Sequence, residues 1–201
     1  DTLDEILQDL TKFNILDYHH KIVSFLRYIS ILSNNHYRDP ELFNKIEHLF
    51  AQIKDQIVQH LTNYEIFSIF KKNKLLLLYL FDLNIIIPDK DIALTITFEK
   101  YQRRNYPEFF WPEFKIFFSK ELNDKIKHEL NEKGIDEETL KQNRKIGQND
   151  QFICQLIRED SIVDFIQLVN KKNIPLSMEI ESSIFETHPL LMKRKASLIE
   201  Y

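Results

Sequence analysis

The 201 residues are 43% apolar and 29% charged, a globular mixture that can bury one sizeable core or two small ones rather than the weakly apolar, highly charged mixture that stays unfolded. Lys plus Arg number 27 against 31 Asp plus Glu, a net charge of −4, which offers no global attraction for nucleic-acid phosphates or anionic lipid, so neither nucleic acid nor membrane is expected as a partner. The single cysteine, Cys154, excludes an internal disulfide and suits a reducing, cytoplasmic setting; no signal pattern opens the sequence, and its longest apolar run, Leu75 to Phe81, is far short of the ~20 residues that cross a bilayer.

Only two glycines occur, Gly134 and Gly147, which removes the backbone freedom that tight hairpins, phosphate loops and dinucleotide turns rely on and favours helices. Ile22, Phe25, Leu26 and Ile29 repeat at helical spacing. So do Leu42, Ile46, Leu49, Phe50, Ile53, Ile57 and Leu61, where Asp39-Pro40-Glu41 supplies a cap, a tolerated first-turn proline and an acid at the positive end of the helix dipole. This second helix is expected to run about six turns, to near Thr62. A pair of short helices should follow, near Tyr64 to Lys72 and Lys74 to Leu83, with Asn63 as a cap and Asn73 at the break. The run Leu75 to Phe81 is apolar on every side and reads as a helix sandwiched between neighbours. Ile85-Ile86-Ile87 is β-branched, but Pro88 and the lack of a partner strand favour an extended connector over a strand.

Past Asp89 a helix is expected to about Arg103, and then two prolines, Pro107 and Pro112, interrupt helical hydrogen bonding around Phe109, Phe110 and Trp111. Charged helices return from Phe114 to about Lys133 and from Asp136 to Arg144, with Gly134 placed as a helix stop. Lys141 to Lys145 is polar and basic, the most linker-like stretch, so a boundary is expected there, with an α-helical domain over 1–145. Beyond it Gln151 to Glu159 and Ile162 to Asn170 read as two helices flanking Asp160-Ser161. Such a unit of roughly 30 residues is a solenoid building block, marginal by itself.

The wording of that segment, Ile146-Gly147-Gln148-Asn149-Asp150 with Ile153, Leu156, Ile157, Asp160, Ser161 and Phe165, followed by Ser183-Ile184-Phe185-Glu186-Thr187 and by Ser197-Leu198-Ile199-Glu200-Tyr201, resembles the ankyrin-repeat proteins abundant in trichomonads and related protists. The likeness is close over the last quarter of the chain; Tyr106-Pro107-Glu108-Phe109 and Ile87-Pro88-Asp89 are similar to the more variable upstream helical domain of that family. It implies an all-α chain, an irregular helical bundle or solenoid over 1–145 that runs into degenerate ankyrin-like helix-turn-helix units over 146–201, the second of them cut short. It departs from a regular repeat. Ser197, Leu198, Ile199 and Glu200 keep the cap and the buried aliphatic of the usual Thr-Pro-Leu-His turn but lose its proline and histidine, and Gln151 and Ser197 lie further apart than the ~33-residue period. The implied function is a non-catalytic protein–protein interaction module, an adaptor or scaffold that caps a repeat array, with a protein partner and no cofactor, metal or small-molecule substrate.

Residue chemistry points the same way. Of the seven histidines, none forms a closely spaced ligand pair with a third partner; His48 and His60 on one helix would stand about 18 Å apart. Cys154 lies among Phe152, Ile153, Leu156 and Ile157, where an apolar setting blunts thiol reactivity. The pairs Glu137-Glu138, Glu179 with Glu181 and Asp4-Glu5 read as solvated carboxylates, since acid–base work needs a concave site. Lys71-Lys72, Arg103-Arg104 and Lys171-Lys172 are short and interspersed with acids; Lys193-Arg194-Lys195 reads as a solvated loop, with a phosphate- or partner-contacting patch as its alternative. Tyr106, Phe109, Phe110, Trp111, Phe114 and Phe117 form an aromatic corner that reads as core, while an exposed Trp111 beside Phe110 would instead make it an interaction surface. Two other classes stay open: an enzymatic or enzyme-regulatory helical domain whose site is assembled from dispersed residues, and a binder of nucleic acid through its basic faces.

Overall fold

A computed structural model describes residues 2–35, 40–98, 105–145 and 152–175 of the protein. Among the described residues the chain is all-helical, with no strand, as composition and glycine scarcity predict. It divides into two compact units, Asp1–Thr95 and Ile96–Tyr201.

In the first unit the helices are α1 (Thr2–Lys12), α2 (His19–Asn35), α3 (Pro40–Gln52), α4 (Lys54–His60), α5 (Asn63–Phe70) and α6 (Lys74–Asp82), with α7 (Lys90–Ile96) at its end. α6 is the centre. Every residue from Lys74 to Phe81 is buried, and the helix packs on both α3 and α5, so a segment with no polar face has a neighbour on each side. Around it, α2 turns in Ile22, Leu26 and Ile29, α3 turns in Phe43, Ile46, Leu49 and Phe50, and α5 turns in Ile66, Phe67 and Phe70; Phe50 meets Phe70 edge-on at 5.5 Å. Asn73 closes the α5–α6 turn. Its side chain accepts from the Leu76 amide at 3.1 Å and donates to Ser33 and Asn34 of α2, which gives this buried amide partners on both ends.

The long helix expected to reach Thr62 is broken at Ile53, whose backbone leaves the helical region (φ −105°, ψ 13°) although its amide still bonds Leu49 and its carbonyl still accepts from Ile57. The bend keeps Ile46, Leu49, Ile53, Ile57 and Leu61 all buried. The cap of α5 is Thr62, not Asn63: Thr62 and Glu65 form a reciprocal capping box that satisfies two orphan amides. Asn63 instead brackets Ile87, accepting from its amide at 3.2 Å and donating to its carbonyl at 3.1 Å. Residues 85–87 form no strand, as expected, but Ile85 and Ile86 bend rather than extend, both amides reaching the Leu80 carbonyl; Ile85 and Ile86 are buried and Ile87 is exposed. Asp89 caps α7 through the Ile92 amide at 2.9 Å; the part of the expected helix from Glu99 to Arg103 lies outside the described residues.

The second unit holds α8 (Tyr106–Phe109), α9 (Trp111–Phe114), α10 (Lys120–Glu132), α11 (Glu137–Lys145), α12 (Phe152–Arg158) and α13 (Ile162–Lys172). Pro107 and Pro112 each sit at the start of a one-turn helix, where their missing amide is harmless. α10 starts later than the sequence suggests, at Lys120, because Ser119 caps it through the Leu122 amide. Lys141 to Lys145 is not a linker: it completes α11, and Arg144 is buried.

Five of the described helices stop in the same way. Asn14, Asn84, Gly134, Asp160 and Asn173 all have φ between 49° and 67°, the left-handed conformation that ends a helix. In each case the next residue, Ile15, Ile85, Ile135, Ser161 or Ile174, returns its amide to the carbonyl five residues back at 2.9–3.0 Å, satisfying an orphan acceptor.

Candidate interaction surface

The aromatic corner is a core element. Phe110 is fully buried and Trp111 is 6% exposed, so neither presents a surface, and the interface reading of these two residues is corrected. Its condition, an exposed Trp111, is not met. Phe109 and Phe110 meet edge-on at 4.8 Å. The Trp111 indole donates to Asn123 Oδ1 at 2.8 Å, and Asn123 Nδ2 in turn donates to the carbonyls of Lys115, Phe118 and Ser119, so one amide ties the corner to the first turn of α10. Ile116, at 79% exposed, and Phe117 are the apolar residues of this stretch that face solvent.

Beneath the corner lies a charged pair absent from the sequence reading. Arg144 of α11 is 2% exposed; its Nη1 donates to Glu113 Oε2 at 2.7 Å and to the Phe109 carbonyl at 2.7 Å, and Nη2 donates to Glu113 Oε1 at 2.8 Å. Its guanidinium also lies over the Phe109 ring at 5.4 Å, while Nε is buried with no hydrogen-bond partner. The two-pronged geometry is the strong form of an Arg–carboxylate bond. One side chain thus holds α8 by its last carbonyl and α9 by its acid, joining two one-turn helices too short to persist alone. Nearer the surface, Glu137 takes Lys115 at 2.7 Å and Lys141 at 3.1 Å, and the Lys115 hydrogen bond, then Lys141, hold its carboxyl below the ordinary range.

The segment 152–175 forms the two helices expected. α12 and α13 pack together across a short turn, with Ile153 and Cys154 at the centre of a small core closed by Ile157, Phe165, Leu168, Val169 and Ile174. Leu156 is also buried. Asp160 ends α12 in the left-handed conformation, and Ser161 starts α13, its hydroxyl donating to Asp164 at 2.7 Å. Of the motif residues, Ile153, Leu156, Ile157, Asp160, Ser161 and Phe165 therefore meet in one hairpin; Ile146, Gly147, Asn149, Asp150, Ser197, Ile199 and Tyr201 lie outside the described residues.

The outer side of α13 was missed. Ile162 and Ile166 are at least half exposed, and Val163 is 67% exposed. At 100° per residue, Phe165, Leu168 and Val169 point toward α12, whereas Ile162, Val163 and Ile166 occupy the adjoining arc. The signal was in the sequence: six of the eight residues from Ile162 to Val169 are apolar, an arc wider than one neighbouring helix can cover.

No protein-family model, curated protein or solved structure matches the chain. Among the described residues no cluster of His, Cys, Asp or Glu could hold a metal ion, and no helix is long and apolar enough to cross a membrane. Among the described residues the closest histidine–acid pair, His19 Nε2 with Glu65 Oε1 at 3.1 Å, is a surface contact. Glu65 has its carboxyl held low first by the Thr62 backbone and hydroxyl and then by His19, which makes it a capping group.

Proposed function

We propose that this chain is a non-catalytic protein–protein interaction module that works as an adaptor in the cytosol, its α12–α13 hairpin serving as a degenerate ankyrin-type repeat that stacks against a further helical unit. The observation that carries this reading is the two-sided apolar character of α13: one arc packs on α12 while Ile162, Val163 and Ile166 stay exposed. Repeat units bury such a face only against a neighbour. The wording of residues 146–177, which resembles the lead-in of ankyrin-repeat proteins, supports it from the sequence side. The helices α1 to α6 bury apolar side chains of their own, and in this reading they form the scaffold that precedes the repeats.

The test is proximity labelling in cells, comparing the protein with its V163E/I166E variant. Both substituted side chains are exposed, so the variant should melt with the parent, within the roughly ±0.5 kcal/mol usual for surface changes. It is expected to lose a defined set of labelled neighbours. An unchanged set of neighbours, with the fold intact, overturns the proposal.

A further inference from the structure

We draw no further inference here: the strongest candidate outside the hairpin, the exposed apolar knuckle of Ile116 and Phe117 between α9 and α10, carries nothing because nothing in the structure shows what covers it.

Discussion

Removing Glu113 should be among the most damaging polar changes in the second unit. In E113A the Arg144 guanidinium stays buried with only the Phe109 carbonyl and ring to face, and stranding a buried charge costs about 3–5 kcal/mol. The reverse deletion, R144M, leaves a carboxylate whose side chain is 17% exposed and so partly rehydrated; its cost should be smaller, about 2–3 kcal/mol, much of it from the orphaned Phe109 carbonyl. Replacing both, as in E113L/R144M, removes every unpaired charge and is expected to recover most of the loss. Trp111 is the only tryptophan and sits in the same corner, so its fluorescence during urea unfolding reports this unit without interference from the other. With a slope of about 1–3 kcal/mol per molar urea, E113A should lower the midpoint by roughly 2 M. If E113A is too unstable to hold a native baseline, E113Q, which keeps an accepting oxygen, gives a smaller loss in the same direction. A cost under about 1 kcal/mol for E113A, the range of exposed ion pairs, or a double variant as unstable as the sum of the singles, would refute the argument.

Three further outcomes are expected. At the end of α6, N84G should stay within about 0.5 kcal/mol of the parent while N84A loses about 1 kcal/mol, because only the alanine meets the left-handed backbone without a way to relieve it; thermal melts of the two variants compare them directly. The Tyr79 hydroxyl is pushed up to about 12, first by burial and then by Glu47 and Asp82, above the unfolded value of roughly 10. Its contribution is therefore intact below pH 10 and fades as pH climbs toward 12, by on the order of 2 kcal/mol, a decline that should vanish in Y79F when melting is followed against pH. On the acid side, Glu137 is held low by Lys115 and Lys141, so its stabilisation is present above roughly pH 4.3 and lost as pH falls below that; E137Q should flatten the Trp111-detected acid unfolding curve, and an unchanged curve would count against the pairing.

The helical class, the all-buried α6 and the stop at Gly134 were legible because each rests on one local signal: period, polarity or a residue free of Cβ. Three other stops were written as plainly. An aliphatic residue, then Asn or Gly four positions on, then Ile, recurs at Leu10-Asn14-Ile15, Leu80-Asn84-Ile85, Leu130-Gly134-Ile135 and Val169-Asn173-Ile174; it is a helix whose last turn is closed by the following amide. Thr62 could have been preferred to Asn63 as the cap, since Glu65 stands three residues on and completes the box. The break at Ile53 had no such mark. Neither proline nor glycine is near, and β-branching at Ile53 only mildly disfavours helix. Arg144 misled because a basic run looks solvated, and only its spacing of four from buried Leu140 placed it on the inward face. Its partner lies 31 positions away, a distance at which local pattern carries no information.

The asparagine stops also bear on the chain before it folds. A glycine at each of these corners would fit without strain, yet it would leave the denatured polymer freer to wander, and that freedom must be surrendered when the helices form. Asn14, Asn84 and Asn173, each at positive φ, accept a little discomfort in the finished structure in exchange for a narrower starting ensemble. A sequence with two glycines in 201 residues has thereby shifted part of its stability from contacts among neighbours to constraints on disorder.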